Sequence, residues 1–205
     1  MPWETVRISH GDVTLRPIAT SDRRAWEDVR ARNASWLVRW EATRPPGSPG
    51  RPVSFRGMVR DLRRQAKQGR CLPFALVVDD ALAGQVTVNN IVGGSAMFAS
   101  IGYWIDQRRA GKGYVPLAVA MAVDHCFSAL GLHRIEIAIR PENAASLRVV
   151  EKLGFPEIGY APRFLHIDGD WRDHRLFALT SEDVPEGLVQ RYLSRERRQH
   201  PESHQ

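Results

Sequence analysis

Residues Gln107 to Tyr114 read QRRAGKGY, two glycines, two arginines and a lysine in one short stretch. They follow a strand-like run, FASIGYWID, and precede an apolar, helix-like run, VPLAVAMAVDHCF. A chain that leaves a strand and begins a helix presents its first helical N–H groups without partners inside the helix, and the helix dipole favours an anion there. Gly111 and Gly113 let the backbone approach such an anion with no Cβ in the way, while Arg108, Arg109 and Lys112 add positive charge. A pyrophosphate is a chemically sensible guest. The spacing is neither GxxxxGK followed by Ser or Thr nor GxGxxG with an acidic residue about twenty positions on.

A second pattern lies at the start of the helix-like run NAASLRVVEKLG, where Asn143 and Ser146 stand in an NxxS arrangement. Asn is a good N-cap and Ser is tolerated in a first turn, so the spacing is compatible with a purely structural role. A third is the aromatic stretch ASWLVRWEA, in which Trp36 and Trp40 stand at helical spacing and are followed by Glu41. It reads either as a helical turn packed on the core or as the wall of a binding site. His166, Asp168, Asp173 and His174 surround a late turn and read as hairpin residues or as part of an acceptor site.

The elements that must position these residues are legible in outline. ETVRIS and VTLRPI read as strands joined by a turn at His10, Gly11 and Asp12, and a helix is expected from Ser21 or Asp22. TRPPGSPGRP denies the chain helix or central strand and reads as a lip over a cleft or an ordinary connection. Phe55, Met58, Val59, Leu62 and Ala66 recur on one face of a helix for which Ser54 is a plausible cap. LPFALVVD, ALAGQVTVNNIV and SAMFASIGYWID, separated by short turn signals, predict an antiparallel meander. A helix, the strand HRIEIAIR and a second helix ending at Gly154 follow, then two strands joined near Asp168-Gly169-Asp170. From Ser181 onward the signal fades into a polar tail expected to fray. The order predicts an α/β (α+β) fold in which helices flank a central mixed, mostly antiparallel sheet.

Composition bounds the rest. With 205 residues and 43% hydrophobic content, a single domain over 1–180 with a tail over 181–205 is expected. No run approaches the ~18–20 apolar residues of a membrane span, and MPWETVRISHGD has no apolar signal core, which predicts a soluble, cytoplasmic protein. Cys71 and Cys126 lie in apolar runs without CxxC spacing, so buried reduced thiols are expected rather than a disulfide or a metal site. The formal charge of +6 is nearly all arginine and fits a polyanionic partner, whether nucleic acid, a ribosomal surface or a phosphate-rich cofactor.

Arg108-Arg109-Ala110-Gly111-Lys112-Gly113 is RxxGxG, which resembles the acetyl-coenzyme A pyrophosphate loop of the GNAT acetyltransferase superfamily. HRIEIAIRPENAASLRVVEKLGF resembles that family's second cofactor-contacting region. NASWLVRWEA, GYWIDQRRAGKGY and GYAPRFLHIDGDWRDHRLFALT together look like the RimJ-type ribosomal-protein alanine N-acetyltransferases over roughly Val13 to Thr180. The resemblance implies the GNAT fold and acetyl transfer from acetyl-CoA to a primary amine by direct attack. It implies that the loop from Arg108 to Tyr114 seats the pyrophosphate, and that the backbone of Ile101, Tyr103 and Ile105 holds the pantetheine arm and polarises the thioester. It also implies that Asn143 contacts that arm and that Ser146 returns a proton to the departing thiolate. Glu41 is the first candidate for binding or deprotonating the amine. The expected acceptor is a protein N-terminus, plausibly ribosomal, with no membrane partner. Two readings stay open: a small-molecule amine such as an antibiotic or polyamine, and a basic nucleic-acid-binding module without catalysis. The latter needs basic residues interleaved with stacking aromatics on an exposed sheet face, whereas the aromatics here fall mainly in apolar patterns.

Overall fold

In the computed structural model, residues 3–48 and 54–199 are described. The central strand β3 (Leu72–Val78) is buried along its whole length. Its alternate side chains serve two cores: Leu72, Phe74, Leu76 and Val78 face one apolar cluster, and Ala75 and Val77 the other. A strand buried on both faces reads as a continuous apolar run, which is what LPFALVV is. Around it the sheet runs β1 (Ile8–His10), β2 (Val13–Pro17), β3, β4 (Ala81–Val92), β5 (Phe98–Ile105), β6 (Arg134–Ile139), β8 (Asp170–Thr180) and β7 (Glu157–Ile167). Every neighbouring pair is antiparallel except β5 with β6. The expected mixed, mostly antiparallel sheet is therefore present.

Helices cover both faces. On one, α1 (Arg23–Arg32) and α3 (Phe55–Lys67) place Val29, Phe55 and Val59 against Ile18, Ala75, Val77 and Leu82. Ser54 caps α3, its Oγ accepting from Gly57 N–H at 3.2 Å. On the other face lies α4 (Tyr114–Ser128), whose apolar character almost all round is explained by its position. Val119, Met121, Val123 and Cys126 are buried, and Ala118, Ala120 and Ala122 are fully so. Next to it, α5 (Ala144–Leu153) buries Val149, Val150 and Leu153 and ends at Gly154 in the left-handed region.

The ends of the chain differ from the sequence expectation. The first strand is confined to Ile8–His10, because Trp3–Thr5 form a 3-10 turn that buries Trp3. The stretch after Thr180 is not simply a frayed polar tail: it contains the helix α6 (Leu188–Gln199), packed on α4 and α5. Leu188 is completely buried and Tyr192 nearly so, while Asp124 of α4 accepts the backbone N–H groups of Leu188 and Val189 at 2.6 and 3.0 Å. Leu188, Val189, Tyr192 and Leu193 stand at i, i+1, i+4 and i+5, a short apolar face among many charges, and it suffices once α4 supplies both the apolar surface and the cap. The β7–β8 hairpin turns at Asp168–Gly169 as expected and exposes Tyr160, Phe164 and Trp171. Of the proline-rich stretch, residues 43–48 form no helix, and 49–53 lie outside the described residues. Cys71 and Cys126 are buried free thiols, and burial pushes their pKa values up to about 11 and about 12.

Leu188→Ala is expected to destabilise the protein by about 2–5 kcal/mol, lowering Tm by roughly 5–15 °C in a thermal melt. A melt within about 1 °C of the parent would show that α6 is not docked.

Candidate active site

The site begins where the sheet stops being closed. β5 and β6 pair only through Phe98, Ser100 and Ala99 with Arg134, Glu136 and Ile135. Beyond Ser100, β5 stays paired to β4 as far as Ile105, and β6 stays paired to β8 as far as Ile139, but not to each other. Two strands that share a ladder at one end and part at the other leave a wedge with a backbone edge on each side. An unpaired backbone edge is a set of donors and acceptors awaiting a partner. Gly84 helps fix the position of β5: a Cβ there would lie 2.1 Å from the Trp104 carbonyl oxygen, so only glycine admits that approach.

A cleft of about 450 Å³ opens on this wedge. Its floor includes Tyr103, Trp104 and Ile105 of β5. One side is the loop from Arg109 to Tyr114, and another is the start of α5, Asn143 to Ser146. The far wall comes from α2 (Ala34–Leu37) and the 3-10 turn Val38–Trp40, which contribute Trp36 and Trp40. The two readings of ASWLVRWEA both hold: the segment is helical, Leu37 is buried, and the tryptophans wall a cleft.

The loop has the geometry of an anion seat. Gly111 and Gly113 have φ of +77° and +82°, a region favouring glycine, and Gly113 directly precedes α4. The backbone N–H groups of Gly111, Lys112, Gly113, Tyr114 and Val115 take no partner among the described residues, while those of Arg109 and Ala110 are used by the Asp106 and Gln107 carbonyls. Five successive unpaired amides beside a helix N-terminus fit a diphosphate. Pro116, in the first turn of α4, costs no hydrogen bond there. Arg109 lines the cleft and is paired to Asp79 at 2.6 Å, whereas Arg108 and Lys112 are exposed beside the lining. Three cleft-lining cations escaped the sequence reading: Arg39, and the pair Arg148 and Lys152, four apart on the cleft side of α5. That i,i+4 spacing was the available signal.

At the start of α5, Asn143 Oδ1 accepts the Ser146 N–H at 3.1 Å, so the cap is real and the Asn143 Nδ2 is left to donate elsewhere. Ser146 Oγ has no hydrogen-bond partner among the described residues, and Ser146 lines the cleft. The Tyr103 hydroxyl donates to the Ser146 carbonyl at 3.5 Å, tying β5 to α5 across the wedge. Burial pushes the Tyr103 phenol well above its ordinary value, so it stays protonated. Ile101 is buried on the parting strand, paired with Val88 of β4, and is not brought into the lining.

Glu41 is not brought into the lining. It is ion-paired to Arg30, whose guanidinium carbon lies 5.3 Å from the ring centroids of both Trp26 and Trp104. Among the described lining residues the one carboxylate is Glu142, 3.2 Å from Arg140 Nε. Arg140 in turn stacks on Trp40 at 5.2 Å and donates to the Arg39 carbonyl at 2.7 Å. His166 and His174 are buried outside the lining, their Nδ1 atoms engaged by Thr43 Oγ1 and the Arg172 carbonyl.

A parted β5–β6 pair, a glycine loop of free amides and an NxxS helix start together define an acetyltransferase of the GNAT kind. The model of the acetyltransferase (GNAT) domain family matches residues 12–156, and the chain belongs to that family. It is an acetyl-CoA-dependent N-acetyltransferase. The chain is 39% identical to Mycobacterium smegmatis RimJ, solved in complex with CoA-disulfide, with a TM-score of 0.84 over 90% of each chain. It is 35% identical to the [ribosomal protein uS5]-alanine N-acetyltransferase of Escherichia coli over 89% of this chain and 94% of that protein. A match to the probable N-acetyltransferase YjcK of Bacillus subtilis, at 42% identity, spans 51% of this chain and 58% of that protein.

Gly111→Trp is expected to abolish acetyl-CoA binding by calorimetry. A Cβ at Gly111 meets nothing within 4 Å, so the ring would occupy the ligand's space, and the positive φ adds backbone strain in the same loop. Undiminished binding would refute the loop as the phosphate seat.

Proposed function

We propose that this enzyme acetylates the N-terminal α-amine of a protein, with an alanine-starting ribosomal protein as the acceptor to test first. The observation that carries the reading is the continuity of the cleft, which runs from the open edge of β5 to the Trp36–Trp40 wall under a cationic lining. Arg39, Arg109, Arg148 and Lys152 line it beside one carboxylate, Glu142, with Arg109 and Lys152 paired to Asp79 and Glu196 outside the lining. Such a lining suits an anionic cofactor and opposes a polycationic acceptor. The names of the Escherichia coli and Mycobacterium smegmatis relatives point the same way.

The residues present fit acetyl-CoA. The free amides from Gly111 to Val115, with Arg109, Arg148 and Lys152, would hold its diphosphate; the β5 edge and Asn143 Nδ2 would hold its pantetheine arm. The cofactor supplies an acetyl group activated as a thioester. The β5 backbone N–H groups would polarise its carbonyl, and Ser146 Oγ–H would give its proton to the departing sulfur and regain one from solvent. An α-amine with pKa 7.7–8.0 is about a tenth to a sixth neutral at pH 7, against about 0.04% for a lysine at 10.4. Orientation and one carboxylate to accept the amine's proton, directly or through water, are therefore enough help. Glu142 is in place for that, and Glu41 acts through Arg30 to hold Trp104 at the cleft floor.

Mass spectrometry of an alanine-starting ribosomal peptide, beside a lysine-containing peptide blocked at its α-amine, should show acetylation of the free α-amine alone. Transfer to neither peptide, with acetyl-CoA bound, would overturn the acceptor assignment in favour of a small-molecule amine. Ser146→Ala should lower kcat by about 10²-fold or more with acetyl-CoA affinity within about 2-fold of the parent. An unchanged kcat would remove Ser146 from the mechanism.

A further inference from the structure

Asn33 stands where α1 meets α2 and is only 2% exposed. Both hydrogens of its amide are committed: Nδ2 donates to the Val29 carbonyl at 2.8 Å and to Asp106 Oδ1 at 3.0 Å. Its Oδ1 accepts the backbone N–H of Gln107 at 2.9 Å. Asp106, 3% exposed, also accepts from Arg108 N–H at 3.2 Å and from Arg32 Nε and Nη2 at 3.0 and 2.6 Å. Its own N–H is held by the Ala83 carbonyl at 2.7 Å. Burial opposes the Asp106 carboxylate, but these hydrogen bonds outweigh it and hold the pKa below the ordinary value, so the group is ionised at neutral pH. A buried carboxylate beside an intended anion site is a costly choice unless it does something there.

What it does is visible in the order of the amides. Gln107 N–H goes to Asn33, Arg108 N–H to the Asp106 side chain, Arg109 N–H to the Asp106 carbonyl and Ala110 N–H to the Gln107 carbonyl. The next amide, Gly111, is the first of the unpaired run that lines the cleft. The node consumes donors up to Ala110 and leaves every donor from Gly111 to Val115 free. Its other arm is the α1–α2 junction, from which Ser35 and Trp36 enter the acceptor wall directly. Arg32 neutralises the carboxylate that would otherwise repel a diphosphate.

We propose that Asn33 and Asp106 form a positioning pair that fixes the start of the cofactor loop against the acceptor wall, so that the free amides are presented in register with the cleft. The pair touches neither substrate and acts through the loop. The inference rests on reading that loop as the phosphate seat.

The test uses the full-length protein without ligand, titrated with CoA by calorimetry, together with hydrogen exchange at Gln107 and Arg108. Asn33→Ala should weaken CoA binding by about 10-fold or more and speed exchange at Gln107, because ligand donors misplaced by a fraction of an ångström lose their bonds. At saturating acetyl-CoA its kcat should remain within about 3-fold of the parent, a KM effect that a general loss of fold would not give. A folded Asn33→Ala protein with parental CoA affinity overturns the proposal. If that variant does not fold, Arg32→Gln, at an exposed position, decides: faster exchange at Gln107 and Arg108 together with weaker CoA binding supports the pair, and parental exchange overturns it. Gly111→Trp separates the two readings. If it leaves CoA binding intact, the seat itself is misassigned; if it abolishes binding while Asn33→Ala does not weaken it, only the positioning role falls.

Discussion

The parting of β5 from β6 is the constraint on which the rest of the molecule depends. A sheet gains from pairing every backbone donor and acceptor, yet here one parallel pair is abandoned after Ser100 while the outer ladders continue on both sides. That arrangement persists because other elements hold each half. β5 is fixed by β4 through the close approach at Gly84, and β6 by β8 along its whole length. Tyr103 bridges to α5 across the gap, while α4, with small side chains that admit a close fit, packs on β4 and β5 and α5 packs on β6. The exposed edge is then a fixed binding surface rather than a fraying end.

Electrostatics follow from the same opening. The N-termini of α4 and α5 converge on it, and the charged side chains lining it are cations apart from Glu142. Buried acid is kept close only as Asp106, fully hydrogen-bonded and neutralised by Arg32. On the acceptor side the tryptophans are held by guanidinium groups: Arg30 between Trp26 and Trp104, and Arg39 and Arg140 on Trp40. On the proposed reading, this rigid aromatic wall orients an amine already partly neutral near pH 7.

The α6 helix shows how a distant segment supports the site. Tyr192 lies 3.5 Å from the Gly113 carbonyl, Lys152 of the cleft pairs with Glu196 at 3.0 Å, and Arg191 donates to the carbonyls that end α5. The two helices that frame the cofactor region are thus braced from behind by residues the sequence marks only as charged and polar.

The sequence by itself determined the meander, the glycine loop ahead of an apolar helix, the Asn143 cap and the left-handed Gly154, because each depends on neighbours in the chain: periodicity, caps and positive-φ glycines are local signals. It also carried the resemblance that family membership bears out. Tertiary structure alone decided that Glu41 is held by Arg30 outside the cleft lining, that Glu142, Arg148 and Lys152 face the cleft, and that Asn33 reaches Asp106 across more than seventy residues. It alone turned the polar C-terminal stretch into a docked helix. These are partnerships between side chains far apart in sequence. A charged residue reads the same on a solvated face as in a binding site, until packing brings its partner alongside.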